Sequence, residues 1–296
     1  NEAFGIARSL IAALENQTRW PAAANNAHRI SAAARGETSI DGPVAIWPRL
    51  PELPRDTTAP FDMVANIVEA VVDPASYFEF YADRNVAGHL KSLCTGLARL
   101  EGRTVAVIAD QPSEGGAPDA PGTEKFRVFM EFVARFRLPL VMLSNAPGFV
   151  PGTKQERLRI QQIGGESLDV NVLSECPVVS AVLNQNFGGR QIHAFSKFLR
   201  PGVAYLALDR SVLAVMGARA AFDLFFGRKY AELQAAGDTD AARELHRTQL
   251  AAFETKSRAD HDAAATGLID IQLSDESELR SALIAGLRLA EDRLRR

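Results

Sequence analysis

The stretch from Leu138 to Gly189 constrains the fold more than any other. It carries one device twice: a short apolar run, a glycine-bearing turn, then a segment with helical spacing. In the first copy Pro139 to Leu143 leads into Asn145-Ala146-Pro147-Gly148-Phe149-Val150-Pro151-Gly152. In the second, Pro177 to Leu183 leads into Asn184-Gln185-Asn186-Phe187-Gly188-Gly189. Short β-type runs alternating with helical segments imply parallel strands joined by crossover helices, hence an α/β fold. Glycine lets the backbone approach a ligand closely, and a helix start presents N–H groups that have no acceptor in the helix. Two such turns have the geometry of an oxyanion hole.

The flanking sequence divides at about residue 60. Glu2 to Glu15 has apolar residues at helical spacing. Asn16 to Pro60 is rich in Pro, Ala, Asn and Thr and reads as an extended arm docked through Trp20 and Trp47. Residues 61–296 then form the main domain. VANIVEAVV is helical and stops at Asp73-Pro74, and Tyr77 to Tyr81 is aromatic. Glu101-Gly102-Arg103 turns between two β-type runs, of which Thr104 to Ala109 is the clearest strand. Gln111 to Gly122 reads as a loop. Thr123 to Arg137 reads as a helix whose stripe of Phe126, Phe129, Met130, Phe132, Val133 and Phe136 belongs to a core. Further strands are expected at Ala204 to Leu208 and Val212 to Met216. Helices are expected from Gly217, over Thr239 to Ala264, and over Glu276 to Arg295, with Gly267 to Asp270 a short return to the body. The C-terminal third is therefore mostly helical.

A net charge of −3 excludes the electrostatic footprint of a nucleic-acid binder. No apolar run approaches the ~18 residues of a membrane span. The two cysteines, Cys94 and Cys176, form no CxxC and point to a reduced, cytoplasmic protein with buried thiols. The five histidines have no metal-ligand spacing, so no metal site is expected. The chain begins at Asn1, as a trimmed, processed or partial chain would.

Several elements match one family in order and spacing: Pro60-Phe61-Asp62-Met63 with Val72-Asp73; Thr95-Gly96-Leu97-Ala98-Arg99-Leu100-Glu101-Gly102-Arg103; Ala109-Asp110-Gln111-Pro112; Asn145 to Gly152 with Gln155-Glu156; Phe187-Gly188-Gly189-Arg190; and Ala214-Val215-Met216-Gly217. Together they resemble the C-terminal half of the carboxyltransferase (beta) subunit of biotin-dependent acyl-CoA carboxylases, of the propionyl-CoA and acetyl-CoA type. The resemblance implies a crotonase-like ββα superhelix with a helical C-terminal part. It implies biotin carried on a partner protein as cofactor and a CoA thioester as substrate. It also implies that the acyl-CoA lies on an equivalent N-terminal half, so the partners would be a subunit carrying that half, a biotin carboxyl carrier and a biotin carboxylase, in a homo- or hetero-oligomer.

Carboxyl transfer of this kind needs little acid–base machinery, because charge develops on oxygens of the biotin urea and of the thioester. Fixed donors about 3 Å from each oxygen would be worth roughly 3 kcal/mol apiece. The resemblance assigns Gly188, Gly189 and Arg190 the catalytic backbone role, with Gly189, Arg190 and Phe149 on the biotin side. Phe149, Phe187, Gly148, Asn145, Gln155 and Glu156 would shape the substrate pocket. His193, one turn further on and near the site, reads as a structural histidine rather than a catalytic one. Departures from the family's pattern include Asp110 for Asn, Asn145 for Asp, Arg159 for Gly, Arg190 for a small residue, Gln191 for an aromatic one and Ile192 for Asp. A cation at Arg190 would bind a carboxylate, bicarbonate or CoA phosphate, or else fill the biotin slot. Two alternatives follow: a biotin-independent decarboxylase or hydrolase of a malonyl-type thioester, and a non-catalytic assembly subunit.

Overall fold

The computed structural model of the chain describes residues 50, 52–80, 89–194 and 197–295. The helix over Glu2 to Glu15 and the anchors Trp20 and Trp47 lie outside the described residues. The end of the expected arm is built into the core: Leu53 is buried and its N–H donates to Glu276 Oε1 at 3.1 Å.

An eight-stranded mixed sheet runs through the molecule. Strands β1 (Phe78–Phe80), β2 (Leu93–Leu100) and β3 (Arg103–Asp110) are antiparallel. From β3 onward every pairing is parallel, through β4 (Leu140–Ala146), β5 (Val178–Phe187), β6 (Val203–Leu208) and β8 (Ile271–Leu273). β7 (Val212–Ala214) pairs with the end of β5, at Gln185 to Phe187. The crossovers between the parallel strands carry helices: α1 (Ala120–Phe136), then α2 (Thr153–Arg157) and α3 (Ile160–Leu173), then α4 (Gly188–Ala194). Two long helices, α5 (Ala218–Ala235) and α6 (Thr239–Ser257), pack as a pair, and α7 (Leu279–Leu294) returns across the sheet.

The strand sequences read as continuous apolar runs because both faces of the sheet are covered. Successive side chains point to opposite faces. Val105, Val107 and Ala109 therefore pack with Leu283 and Leu287 of α7 and with the helical stretch over Val64–Val68 and Glu69–Val71. Ala106 and Ile108 pack on Phe126, Phe129 and Met130 of α1. Gly286 lets α7 approach β5, since a Cβ there would lie 2.5 Å from Val179 Cγ2. Cys94 and Cys176 are both buried and form no disulfide among the described residues.

The short motifs prove to be fastenings. Asp62 and Met63 are pinned to Gln111, whose Nε2 donates to Asp62 Oδ1 at 2.9 Å and whose Oε1 accepts from Met63 N at 2.6 Å. Asp73 accepts from the N–H groups of Glu101 and Gly102 at 3.1 and 2.7 Å. That holds the β2–β3 turn, in which both residues have positive φ, as a tight hairpin requires.

The structure corrects several boundaries. α1 starts at Ala120 rather than Thr123, because Asp119 caps it by accepting from Gly122 N and Pro121 fits a first turn. Its buried stripe stops at Val133; Phe132 is half-buried and Phe136 exposed. The helical stretch expected over Thr239 to Ala264 is broken once, at Arg258, which turns extended and forms a bridge to Val212 before a helical turn resumes over Ala259–Ala263. The return strand is Ile271–Leu273, just after Gly267 to Asp270.

Candidate active site

The two glycine turns meet at the C-terminal ends of the parallel strands. Ligands of open α/β sheets gather there. Beside the turns the β4–β5 register slips: Ser144 pairs with Val182, while Ala146 pairs with Asn186. Such an irregularity bends and re-aims the strand end. Gly148 and Gly152 then adopt φ of +118° and +112°, a region open to glycine. The excursion seats Phe149 on the second turn, where a Cβ on Gly189 would lie 3.4 Å from the Phe149 ring. Phe149 also meets His193 edge-on, with ring centroids 5.1 Å apart.

The second turn hinges on Gly188, whose φ of +61° carries the chain from β5 into α4. Gly189 is left exposed while Arg190 and His193 turn inward. Between the turns lies a cleft of about 500 Å³. One wall is the segment from Phe149 to Gly152 with Gln155 and Glu156; the opposite side comes from Gly164, Gly165 and Leu168 of α3 and from Gly189, Ile192 and His193 of α4.

Of the residues the sequence nominated, Phe149, Gln155, Glu156 and Gly189 line this cleft. Gln155 is mostly buried, and its Oε1 accepts from Ala120 N at 2.9 Å, so it ties α2 to the start of α1. Glu156 is exposed at the rim. Gly148 and Gly188 shape the two turns without lining the cleft. Phe187 stands away from it, half-buried near Gly217, where a Cβ would lie 3.7 Å from its ring. Asn145 is buried at the end of β4. Arg159, in the family's glycine position, adopts a left-handed φ of +65° at the break between α2 and α3. The left-handed region costs a side-chain-bearing residue roughly 1–2 kcal/mol.

Arg190 does not reach into the cleft. Its guanidinium is 2 % exposed, lies 5.2 Å from the Phe126 ring centre, and donates through Nε and Nη2 to Asp110 Oδ1 at 3.2 and 2.9 Å. It neither offers a free cation to an anion nor fills the cleft. Burial pushes the Asp110 carboxyl upward, while the Arg190 charge, its hydrogen bond and the Asn145 N–H pull it down. His193 is buried in the wall, and desolvation, followed by the Arg190 charge, lowers it to about 3. The imidazole is therefore neutral at ordinary pH. Its Nδ1 lies 3.4 Å from Ser167 Oγ, and its backbone carbonyl accepts from Asn171 Nδ2 at 2.8 Å, fastening α4 to α3.

Sequence reasoning missed the α3 wall and Asp110. The adjacent Gly164-Gly165 was the available signal for the first. For the second it was the acid in Ala109-Asp110-Gln111-Pro112, where the family's pattern has Asn. Among the described residues no cluster of His, Cys, Asp and Glu could hold a metal.

The fold is a crotonase-like α/β architecture with a helical C-terminal part, and its candidate site is the cleft between two glycine turns. The chain belongs to the carboxyl transferase domain family, which matches residues 3–296. It is 30 % identical over 227 residues to the methylmalonyl-CoA carboxyltransferase 12S subunit of Propionibacterium freudenreichii subsp. shermanii, covering 76 % of this chain and 41 % of that protein. It is 28 % identical over 255 residues to the propionyl-CoA carboxylase carboxyltransferase subunit of Haloferax mediterranei, covering 86 % of this chain and 47 % of that one. A solved transcarboxylase 12S structure, described as a hexamer assembly with methylmalonyl-coenzyme A and methylmalonic acid bound, superposes with a TM-score of 0.71 at 29 % identity, over 81 % of this chain and 44 % of that one. The chain thus spans less than half the length of these relatives.

Proposed function

We propose that the chain supplies the biotin-side half of an acyl-CoA carboxyltransferase, with biotin arriving on a partner protein and a CoA thioester as the second substrate. The observation that carries this reading is the exposed backbone of Gly189 directly under the Phe149 ring. A flat, uncharged bicyclic urea fits a cleft with an aromatic wall and backbone donors at its floor. When bound, carboxybiotin supplies the carboxyl group and a urea oxygen on which negative charge grows. The N–H groups of Gly189 and Arg190 lie in the first turn of α4, where a helix provides no acceptor of its own, and in this reading they meet that charge. Gly188 sets their direction through its positive φ. Phe149 excludes water over them. Arg190 and Asp110 neutralise each other, and His193 is uncharged, so no side-chain charge at the cleft floor competes with these dipoles.

The mouth of the cleft supports a covering partner. Ile192 in its wall is 49 % exposed, and Val215, whose carbonyl lies beside Gly188, is 78 % exposed. Apolar exposure at a site suits a subunit interface. The proposed occupant is a chain carrying the acyl-CoA half, in a homo- or hetero-oligomer that a biotin carboxyl carrier and a biotin carboxylase serve.

Gly189→Pro tests the donor role. Proline is tolerated in the first turn of a helix but has no N–H. Biocytin-dependent carboxyl transfer is expected to fall about 10²–10³-fold in kcat, as for loss of one oxyanion donor, with the circular dichroism spectrum unchanged. A folded variant with parental kcat removes Gly189 from the mechanism.

A further inference from the structure

We infer that Asp110 is a positioning residue that locks the two glycine turns into one site, with Arg190 as its counterpart. The inference deepens the carboxyl-transfer reading and rests on it. Asp110 is the last residue of β3 and is fully buried. Its two carboxylate oxygens are divided between the turns. Oδ2 accepts from the N–H of Asn145, the residue that opens the first turn, at 3.1 Å. Oδ1 accepts from Arg190 Nε and Nη2 at 3.2 and 2.9 Å, and Arg190 immediately follows Gly189 in the second turn. One rigid group therefore fixes the end of β4 relative to the start of α4. The cleft lies between those two points.

Stability is a poor reason for such a pair. A buried ion pair returns little net free energy, and an apolar pair of similar volume often holds a core as well or better. What an apolar pair cannot do is aim. Charge-assisted hydrogen bonds are short and directional, and displacement of a catalytic group by about 1 Å can cost on the order of 100-fold in rate. The two residues are also linked as departures: the family's pattern has Asn where Asp110 stands and a small residue where Arg190 stands. The acid and the cation stand in direct contact next to Gly189.

The test separates aiming from stability. Asp110→Asn alone leaves a buried cation without its counter-charge, and a loss of folding is expected. The decisive variant is therefore the double change Asp110→Asn with Arg190→Met, which removes both charges and keeps the Arg190 N–H. It should melt at or above the parent's temperature. Biocytin-dependent kcat should nevertheless fall about 10- to 100-fold, and backbone amides of 145–152 and 187–191 should exchange with deuterium at least tenfold faster. Parental kcat together with parental exchange would overturn the positioning role, and so would faster exchange with parental kcat. Should the parent show no biocytin-dependent turnover even with its co-purifying partner chain present, the carboxyl-transfer reading fails, and the exchange comparison alone decides whether the lock exists. Should the double variant not fold, Arg190→Lys serves. It keeps the charge but loses the fork; faster exchange in both turns is expected, and unchanged exchange overturns the lock.

Discussion

His193 is the residue whose surroundings give the sharpest solution signature. Buried beside the Arg190 guanidinium, it titrates near 3, below the ordinary histidine value of about 6.5. The unfolded chain therefore binds a proton between these values that the folded chain refuses. Stability must rise with pH across that window, be fully present above about 6.5, and be lost as pH falls through it, with a slope approaching 1.4 kcal/mol per pH unit. Urea titrations between pH 4 and 7.5 check this. His193→Gln should cost stability at pH 7.5 yet show a shallower pH dependence below 6.5. Equal slopes for variant and parent would mean that another group carries the effect. The sequence placed His193 near the site and favoured a structural role, without showing what surrounds it. It could not do better, because the deciding facts are the Phe149 and Phe126 rings and the Arg190 charge, all brought in by tertiary packing.

At the scale of elements, the cap of α1 governs more than its own helix. Asp119 accepts from Gly122 N at 2.9 Å, and Ala120 N donates to Gln155 in the cleft wall. Asp119→Ala should lower stability by about 1 kcal/mol, read as a reduced denaturant midpoint at constant slope. An unchanged midpoint would show that the neighbouring proline and packing suffice. The same cap explains why α1 was read three residues short. Gln111 to Gly122 looks like loop by composition, and only the folded geometry shows Pro121 inside the first turn. Strands were more legible. The runs at Thr104 to Ala109, Pro139 to Leu143 and Ala204 to Leu208 are apolar throughout because helices cover both sheet faces, and that signal survives in any reading of the sequence. The glycine turns were legible for a similar reason: Gly148, Gly152 and Gly188 hold positive φ that other residues resist. Opaque in the sequence were inward-turned side chains such as Arg190, whose partner lies 80 residues away.

At the scale of the whole molecule, the chain covers under half of its relatives' length, 41 % of one and 47 % of another. Its cleft opens beside exposed Ile192. The proposed half-site, with an exposed apolar residue at its edge, calls for a second surface. Among the described residues no helix is long and apolar enough to cross a membrane. The family motifs made the fold legible because they are fastenings between distant elements, as Asp62 with Gln111 and Asp73 with Gly102 show. The proposed partner surface has no such mark. The measurement that bears most directly on carboxyl transfer is the reverse reaction: malonyl-CoA or methylmalonyl-CoA consumed by the purified chain, with and without biocytin, alone and with any chain that co-purifies. Thioester loss that requires biocytin is the predicted result. Loss that ignores biocytin would point instead to a thioester decarboxylase or hydrolase, and no loss even with the partner present would contradict a catalytic role altogether.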